Sequence, residues 1–322
     1  MAKHLLGIQD LSKEDLLYYL KSAQNFIEVS LRDIKKVPSL RGKTIVNLFL
    51  EPSTRTRTSF EIAGNRLSAD VVTINGVDSS VNKGETLLDT VQTLAAMSPD
   101  ILVIRHKESG CAKFLARHIP NLSIVNAGDG MHEHPTQALL DCLTLEQHFA
   151  EKIHGKLTIA IVGDIIHSRV ARSNIYAHGL LGNKIRLIGP PTLLPEYFGS
   201  KECLGHNLSG KQQIEIFHNL KEGLKGVDVV MCLRMQLERQ DSFFVPTIGD
   251  YSREFRINQS HIDSICPEAV LFHPGPVNRG VEVSSNVAYG DNSLVNKQVA
   301  NGIALRMAVL FNLASGNRAQ EI

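Results

Sequence analysis

The sequence predicts an α/β protein of two domains, each a parallel β-sheet flanked by helices. The chain has 322 residues, which is too long for one ordinary core and suits two domains of about 150 residues each. Short apolar runs rich in β-branched residues alternate with polar junctions and helical stretches. This alternation is typical of parallel sheets that are covered by helices on both faces.

Apolar, β-rich runs predict the strands in chain order. They are Thr44–Leu50, Ile101–Ile104, Leu122–Val125, Leu157–Val162, Lys184–Ile188, Val227–Leu233 and Ala269–Phe272. Thr136–Phe149 predicts a long helix, and the polar stretch after it precedes a new strand. We therefore expect a first domain at residues 1–150 and a second at 151–292. The spaced apolar residues of Leu294–Leu313 predict an amphipathic helix, and we expect this C-terminal helix, at about 293–316, to pack back on the first domain.

The charge balance and the cysteine pattern exclude several classes of protein. Lys and Arg total 34 against 33 Asp and Glu, so a nucleic-acid partner is disfavoured and any anion site must be local. No apolar run approaches the roughly 18 residues that span a membrane, and Met1–Gly7 turns polar too soon for a secretory signal. The five cysteines are scattered without a CxxC spacing, which disfavours disulfides and structural zinc. We expect a cytoplasmic protein with neither a nucleic-acid nor a membrane partner.

The candidate functional residues lie where predicted strands end, the edge at which parallel sheets bind ligands. The first junction, Glu51–Glu61, follows a strand and opens a helix, whose N-terminus carries partial positive charge. Its hydroxyl and guanidinium donors include Ser53, Thr54, Arg55 and Thr56. A capped helix with solvated arginines is the ordinary alternative, but this density of donors favours a phosphate site. The junction is not a Walker loop, because the sequence GxxxxGK[ST] is absent.

Two further candidates follow the next two predicted strands. Arg105 ends the second strand, where it is either a surface charge or a ligand contact. His134 and Gln137 are three residues apart at a helix start and can face one ligand. The spacing of His132 and His134 also fits a metal site, but the sequence offers no further ligands beside them. A structural histidine that caps the helix is the other alternative.

The second half of the chain supplies two more arginines near strand ends. Arg169 opens a helix after the segment Gly163–Ser168, where it can meet a carboxylate. A strand that ends in Gly-Asp also suggests dinucleotide binding, but the GxGxxG fingerprint is missing. Arg234 and Gln236 follow the run Val227–Leu233 and, in an extended chain, point to the same side. A solvated strand end is the alternative for this pair.

Two other segments offer contacts of a different kind. His273–Pro276 follows the last predicted strand, and its two prolines around a glycine make a stiff turn that presents carbonyl groups. The segment Gly76–Glu85 is polar and bounded by glycines, a composition typical of mobile loops. Lys83 lies in this segment, either as a surface charge or as a functional cation.

Together these motifs resemble those of the carbamoyltransferase family over essentially the whole chain. Ser53–Arg57, with the sequence STRTR, is similar to the family's carbamoyl phosphate motif, and His134–Gln137, HPTQ, is similar to its second signature. Arg234–Arg239, RMQLER, is similar to the branch that uses aspartate. Ornithine enzymes have His-Cys-Leu-Pro where this chain has His273–Pro276, HPGP. The resemblance implies the carbamoyltransferase fold and transfer of a carbamoyl group from carbamoyl phosphate to L-aspartate, the committed step of pyrimidine biosynthesis.

The resemblance also implies a role for each candidate residue. Carbamoyl phosphate would be bound by Ser53, Thr54, Arg55, Thr56, Arg105, His134, Gln137, Gly275 and Pro276. L-Aspartate would be bound by Lys83, Arg169, Arg234 and Gln236. The catalytic residues would be Arg55, Thr56, Lys83, Arg105 and His134. Ser79 and Lys83 would come from the neighbouring subunit of a homotrimer with shared active sites, and the Gly275–Pro276 peptide bond would be cis.

The same resemblance bears on partners and alternatives. The substrates are small molecules, and no cofactor or metal is implied. The segment Pro274–Glu282 is similar to the branch that associates with dihydroorotase, so a higher assembly with dihydroorotase or a regulatory chain is an open expectation. The alternatives are transfer to ornithine or a related amino acid, and a non-catalytic relative that binds a phosphometabolite. Arg169 and Arg234 suit the two carboxylates of aspartate, whereas ornithine would need an acidic or polar pocket.

Overall fold

The computed structural model describes residues 3–76, 84–199, 214–236 and 244–316. The strands in this part of the chain are β1 Thr44–Phe49, β2 Asp70–Asn75, β3 Ile101–His106, β4 Ser123–Asp129, β5 Thr158–Val162, β6 Lys184–Ile188, β7 Ile214–Phe217, β8 Val229–Cys232 and β9 Val270–Phe272. The α-helices are α1 Lys13–Leu31, α2 Thr54–Arg66, α3 Leu87–Ala96, α4 Cys111–His118, α5 Pro135–Phe149, α6 Arg169–Leu181, α7 Leu220–Gly223, α8 Ile248–Phe255, α9 Gln259–Ile265, α10 Ser285–Ala288 and α11 Val295–Gly316. None of these described helices combines the length and the apolarity needed to cross a membrane.

The chain folds into two compact units. The first comprises Met1–Leu140 with Ala300–Ile322, and the second comprises Asp141–Val299. Both changes of unit fall inside a helix, one in α5 and the other in α11. The division predicted between residues 150 and 151 lies just after the end of α5.

The first unit is built on a four-stranded parallel sheet in the order β2-β1-β3-β4. The three strands β1, β3 and β4 are buried along almost all of their length, as expected of strands covered on both faces. The chain leaves β1 for β2 on one side and returns to β3 on the other, so a topological switch point lies between β1 and β3. The register pairs Phe49 with Arg105, which places the β1–α2 junction beside the end of β3.

The C-terminal part of α11 packs within the first unit. The Phe311 ring lies 5.7 Å from the Phe26 ring of α1 in an edge-on arrangement. The Ser22 hydroxyl donates to Asn312 Oδ1 at 3.3 Å. The Arg306 guanidinium lies 5.1 Å from the centre of the Phe60 ring in α2. α2 also packs on β1 and β2, so the helix that opens the first candidate site is held from two sides.

The second unit is built on a five-stranded parallel sheet in the order β7-β6-β5-β8-β9. Its switch point lies between β5 and β8, because the chain leaves β5 for β6 and β7 on one side and returns to β8 on the other. The register pairs Val162 with Cys232, and Met231 with Phe272. The junctions that follow β5, β8 and β9 therefore lie side by side at the carboxyl edge of the sheet.

The strands β2 and β7, each at one edge of its sheet, are not among the predicted strands. Neither strand contains a fully buried residue. Both strands show part of their surface to solvent, and polar residues such as Asp70, Thr73 and Glu215 interrupt their apolar runs. The apolar signal that predicted the other seven strands, including the buried edge strands β4 and β9, is therefore weak in β2 and β7.

Candidate active site

The N-terminus of α2 is arranged to receive an anion. Ser53 is the N-cap residue in an extended conformation, with φ −163° and ψ 94°, and its side chain makes no capping hydrogen bond. The first turn contains no acidic residue to balance the positive end of the helix. Thr54 and Arg55 are exposed in this turn, whereas Thr56 is buried. Hydroxyl groups, a guanidinium and helix N–H groups therefore share one helix end.

The two arginines of this turn differ in their surroundings. Arg57 Nη1 donates to Asn75 Oδ1 at 2.9 Å, and Arg57 Nε lies 3.9 Å from Glu61 Oε1. Arg57 thereby joins α2 to the end of β2. Arg55 is exposed at the start of the helix, so it is the better placed of the two for a phosphate that arrives from solvent.

Arg105 brings a nearly buried cation to the same edge of the sheet. Its Nη2 donates to Glu51 Oε1 at 2.9 Å, and its Nη1 donates to the Ala127 carbonyl at 3.1 Å. The Arg105 carbonyl accepts a hydrogen bond from the Leu50 amide at 2.9 Å, which fixes this end of β3 against β1. Glu51 therefore neutralises a guanidinium whose planar fork also suits a phosphate or carbonyl oxygen. An incoming anion competes with Glu51 for that fork.

Asp129 organises the loop between β4 and α5. Its carboxylate is 1% exposed and accepts hydrogen bonds from Asn126 Nδ2 at 2.8 Å and the Gly110 amide at 2.6 Å. His132 Nδ1 lies 3.0 Å from the same carboxylate, and His132 Nε2 lies 3.1 Å from Gln9 Nε2. Burial alone would raise the pKa of Asp129, but the hydrogen bonds from His132 and Asn126 outweigh it and the pKa is lowered. Both ring nitrogens of His132 are therefore used in holding the loop.

The hydrogen bonds of His132 bear on the metal site that its spacing from His134 suggested, because they involve both of its ring nitrogens. Over residues 3–76, 84–199, 214–236 and 244–316, no cluster of at least three His, Cys, Asp or Glu side chains could hold a metal ion. The neighbouring Glu133 is buried and accepts the amides of Ile8 at 2.8 Å and Gln9 at 3.3 Å. Glu133 thus ties the N-terminal segment to this loop.

His134 and Gln137 are held at the first turn of α5. His134 directly precedes Pro135, the first residue of the helix, as the sequence predicted for a proline in the first turn. The His134 carbonyl accepts the Gln137 amide at 2.9 Å. Both side chains are largely buried, at 4% and 9% exposed. The start of α5 therefore places two largely buried polar side chains one helical turn apart.

In the second unit, the β5–α6 junction begins at Gly163. Its φ of +127° lies in a region that residues with a side chain rarely adopt, and an added Cβ would lie 2.8 Å from the Tyr251 hydroxyl. The next residue, Asp164, is buried and accepts from His167 Nδ1 at 2.8 Å. Arg169 follows as the first residue of α6 and is 3% exposed. The junction therefore brings a fixed carboxylate–imidazole pair and a buried arginine to the sheet edge.

The segment after β8 lies against this junction. The Gln236 amide donates to Asp164 Oδ2 at 3.4 Å, and Gln236 Nε2 donates to the Arg234 carbonyl at 3.4 Å. Arg234 and Gln236 are both half-buried. Burial, with the nearby Cys232, Glu282 and Asp164, raises the pKa of Tyr251, which remains a neutral phenol behind the site. The ends of β5 and β8 thus present Arg169 and Arg234 from neighbouring strands.

The turn after β9 has the predicted cis bond between Gly275 and Pro276. The Gly275 amide donates to His273 Nδ1 at 2.8 Å, and His273 Nε2 lies 3.0 Å from Glu282 Oε1. The Asn278 amide donates to the same carboxylate oxygen at 2.7 Å. Pro274 and Gly275 are half-buried at the surface of this unit.

Two family models match this chain and together cover most of it. Residues 3–147 match the carbamoyl-P binding domain of aspartate/ornithine carbamoyltransferase, and residues 155–313 match the Asp/Orn binding domain. The chain belongs to the aspartate/ornithine carbamoyltransferase family. The fold agrees with this assignment, because solved carbamoyltransferases have the same pair of parallel sheets flanked by helices.

Relatives within the family point to the aspartate branch. The aspartate carbamoyltransferase catalytic subunit of Magnetococcus marinus is 50% identical over 98% of this chain and 93% of that protein. The subunit of the same name from Geobacter sulfurreducens is 50% identical over 99% of this chain and 98% of that protein. A Trypanosoma cruzi aspartate transcarbamoylase, solved with carbamoyl aspartate and phosphate, is 30% identical with a TM-score of 0.84 over 96% of this chain and 94% of that chain. An ornithine carbamoyltransferase from Pyrococcus furiosus is 26% identical with a TM-score of 0.83 over 95% of each chain.

The structure places the candidate residues of the family in two sets. At the carboxyl edge of the first sheet lie Ser53, Thr54, Arg55, Thr56, Arg105, His134 and Gln137. At the carboxyl edge of the second sheet lie Arg169, Arg234, Gln236, Gly275 and Pro276. Ser79 and Lys83 lie outside the described residues, as do Glu238 and Arg239.

Several residues that hold these sets in place have no role in the predictions from sequence. Glu51 pairs with Arg105, Asp164 pairs with His167, and Glu282 pairs with His273. The three-residue spacing of Asp164 and His167, just before α6, was an available signal for one pair. The other two depend on strand register and on a turn whose paired residues are nine positions apart, which a sequence pattern does not reveal.

Proposed function

We propose that this chain transfers the carbamoyl group of carbamoyl phosphate to the amine of L-aspartate, giving N-carbamoyl-L-aspartate and phosphate. The observation that carries the choice of acceptor is the placement of Arg169 and Arg234 at the ends of the adjacent strands β5 and β8. Each guanidinium can bind a carboxylate through two parallel hydrogen bonds, and aspartate has two carboxylates. Ornithine has one carboxylate and a cationic side chain, which two arginines would repel.

The first unit has the features that carbamoyl phosphate requires. The uncompensated N-terminus of α2 and the exposed Arg55 suit a phosphate group. Ser53, Thr54 and Thr56 add hydroxyl donors at the same helix end. We propose that this unit binds carbamoyl phosphate and that the second unit binds aspartate, in keeping with the names of the matching family domains.

The proposed reaction is a direct transfer between the two substrates. The deprotonated amine of aspartate attacks the carbonyl carbon, and negative charge develops on the carbonyl oxygen of a tetrahedral intermediate. Thr56, Arg105 and His134 would donate hydrogen bonds to that oxygen, and one such donor is typically worth about 3 kcal/mol. The carbon–oxygen bond to the phosphate then breaks, and the phosphate leaves with the electron pair of that bond.

The departing phosphate can accept the proton that the amine loses. Its negative charge would be neutralised by Arg55, Arg105 and the helix N-terminus. These groups would provide the charge stabilisation that a metal cation provides in other enzymes. Gln137 would orient the carbamoyl amide, and the backbone at Pro274 and Gly275, with Pro276, would receive that amide and the attacking amine. We therefore propose a reaction without cofactor or metal.

We further propose, from family resemblance, that the chain works as a cytoplasmic homotrimer with shared active sites in pyrimidine biosynthesis. Ser79 and Lys83 would enter the site of the neighbouring subunit. A higher assembly with dihydroorotase or a regulatory chain would build on that trimer.

Paired arginine variants test the assignment of the two substrates. Arg234→Ala should raise the KM for aspartate by about 10- to 100-fold, the loss expected for a hydrogen bond to a charged group, and change the KM for carbamoyl phosphate little. Arg55→Ala should show the opposite pattern. Arg253→Ala, an exposed arginine of α8 that pairs with Asp250, is the matched control and should behave as wild type. An Arg234→Ala enzyme with an unchanged KM for aspartate would contradict the proposal.

A further inference from the structure

A buried histidine–carboxylate pair lies directly behind the turn that follows β9. The side chains of His273 and Glu282 are 0% and 1% exposed, and His273 Nε2 lies 3.0 Å from Glu282 Oε1. Neither residue takes part in a chemical step of the proposed reaction. Their place beside Pro274 and Gly275 nevertheless ties them to the part of the turn that carries a proposed substrate contact.

The hydrogen bonds determine which ring nitrogen of His273 carries the proton. The Gly275 amide can only donate, so His273 Nδ1, 2.8 Å away, must accept with a lone pair. The ring hydrogen of the neutral imidazole is then on Nε2, which donates to Glu282. A carboxylate at that place therefore selects the tautomer that the Gly275 amide needs.

Glu282 also holds the far side of the same turn. Its Oε1 accepts the Asn278 amide at 2.7 Å in addition to His273 Nε2. The main chain from residue 273 to residue 278 is thus closed on a single carboxylate oxygen. Loss of that oxygen would release the His273 ring and the Asn278 amide together.

A second chain of hydrogen bonds anchors the start of the turn. The His273 amide donates to Gln298 Oε1 at 3.1 Å, and Gln298 Nε2 donates to Asp141 Oδ1 at 2.7 Å. Asp141 Oδ2 accepts from Asn174 Nδ2 at 2.9 Å. All of these side chains are buried. The backbone position of His273 is therefore fixed independently of Glu282. Glu282 sets the orientation of the His273 ring and the position of the residues that follow His273.

The direction of the Pro274 carbonyl follows from the direction of the Gly275 amide. These two groups belong to one peptide unit, which is trans because the cis bond of the turn is the following one. In a trans peptide the carbonyl points opposite to the N–H group. Since the Gly275 N–H group points to His273, the Pro274 oxygen points away from the buried pair. Within the described chain, neither the Pro274 nor the Gly275 carbonyl accepts a hydrogen bond.

We propose that Glu282 is a positioning residue for the transfer reaction. By fixing the tautomer and orientation of His273, it turns the Gly275 N–H group inward and presents the Pro274 carbonyl to an N–H group of the reacting substrates. This inference rests on the proposed function, in which the turn contacts the carbamoyl amide or the attacking amine.

Two substitutions at Glu282 separate its acceptor oxygen from its bulk. Glu282→Gln retains an oxygen that accepts from both His273 and Asn278, and Glu282→Leu has similar volume without an acceptor. Misplacement of a reacting group by about 1 Å can cost about 100-fold in rate, so Glu282→Leu should lower kcat by about 10- to 100-fold. The KM for carbamoyl phosphate should change little, because the phosphate contacts belong to the first unit. Glu282→Gln should restore most of kcat.

Hydrogen exchange at the Gly275 amide gives a readout that does not depend on catalysis. Glu282→Leu should make this amide exchange at least about tenfold faster, because its acceptor is no longer held in place. Glu282→Gln should keep the slow exchange of wild type. Asp228→Ala is the matched control, since Asp228 Oδ2 accepts the Thr158 amide at 2.8 Å at the opposite, amino edge of the same sheet. The Asp228→Ala protein should be less stable than wild type, but its kcat and the exchange rate of its Gly275 amide should be unchanged.

The two readouts also distinguish this inference from the proposed function. A wild-type enzyme that forms no carbamoyl aspartate would contradict the function and with it the positioning role, whereas the exchange result would still decide whether Glu282 orients the Gly275 amide. Unchanged exchange in Glu282→Leu, or a wild-type kcat in that variant of an active enzyme, would overturn the positioning role. Should Glu282→Leu fail to fold, Glu282→Asp keeps the charge but withdraws the oxygens by one methylene, and the same two outcomes apply to it.

Discussion

At the scale of single residues, buried carboxylates that accept backbone amides hold the loops of both units. Asp129 accepts the Gly110 amide, Glu133 accepts the Ile8 amide, and Glu282 accepts the Asn278 amide. Each of these bonds fixes a loop at the carboxyl edge of a sheet. The residues expected to touch substrate, such as Arg105 and His134, are therefore set in place by neighbours that do not touch it.

This division explains what could be predicted at the residue scale. Arg105 and His134 stand in recognisable patterns at predicted strand ends, and the structure places both at the carboxyl edge of the first sheet. The pairing of Arg105 with Glu51 depends on the register of β1 and β3, which the sequence does not specify. Supporting carboxylates resemble ordinary surface acids in the sequence, so they are found only in the folded structure.

Asp129 provides a test with a definite sign. Asp129→Asn should lower the free energy of unfolding by about 1 to 3 kcal/mol near pH 7, because the Gly110 amide and His132 lose a charged partner. Hydrogen bonds hold the pKa of Asp129 below its ordinary value of 3.8, despite burial. Because the pKa of Asp129 is lower in the folded state, its carboxylate stabilises the fold at every pH above the unfolded-state pKa of about 3.8. This contribution is lost as the pH falls from about 3.8 through the pKa of the folded state.

Urea unfolding of wild type and Asp129→Asn over a range of pH measures this effect. The difference in unfolding free energy should shrink as the pH falls below about 3.8, where the carboxyl of Asp129 becomes protonated. Asp33→Asn, at an exposed carboxyl of the same unit, is the control and should show little difference at any pH. A difference that grows as the pH falls through this acid range would contradict the assignment.

At the scale of elements, helix N-termini at strand ends create the chemistry of the first unit. α2 begins with Ser53 and Thr54 and lacks an acid in its first turn. That arrangement leaves the positive end of the helix uncompensated, which costs some stability and favours anion binding. Seven strands and the helices α5 and α11 were predicted from their apolar patterns, whereas the 19-residue helix α1 was not. The edge strands β2 and β7 were also missed, because solvent exposure interrupts the pattern.

An acidic residue placed at the start of α2 should stabilise the protein and weaken the binding of carbamoyl phosphate. Thr54→Asp should raise the free energy of unfolding by about 0.3 to 1 kcal/mol, because a negative charge balances the helix end. The same charge should raise the KM for carbamoyl phosphate about fivefold or more, the equivalent of roughly 1 kcal/mol. Thr54→Asn introduces a side chain of nearly the same shape as Asp but without its charge, so it should change neither the free energy of unfolding nor the KM in this way. Thermal unfolding and steady-state kinetics measure the two effects, and a tighter KM in Thr54→Asp would count against an anion site at this helix.

At the scale of the whole molecule, each sheet has its own switch point and its own set of candidate residues. The first lies between β1 and β3, and the second lies between β5 and β8. Parallel sheets bind ligands at such points, so a protein with two sheets of this kind is suited to two substrates. Alternation of strands and helices predicted both sheets, but strand order is a long-range property that a local pattern does not contain.

Subunit mixing tests the proposed sharing of active sites. Arg55→Ala and Lys83→Ala proteins should each be nearly inactive, yet a mixture that is unfolded and reassembled should regain activity. About a quarter of the sites should be intact in an equal mixture, because half the chains keep Arg55 and half of their neighbours keep Lys83. Steady-state activity of the mixture, compared with each parent treated alone, measures the recovery. Mixtures as inactive as the parents, with subunit exchange verified, would exclude shared sites.

The central claim is that the chain transfers a carbamoyl group to aspartate, and the choice of acceptor tests it most directly. Purified protein would be given carbamoyl phosphate with either L-aspartate or L-ornithine, in the presence of a metal chelator, and the carbamoylated products would be quantified. A site built around two arginines should favour aspartate, with kcat/KM about a thousandfold higher than for ornithine. Faster formation of the ornithine product, or the absence of carbamoyl aspartate, would contradict the account.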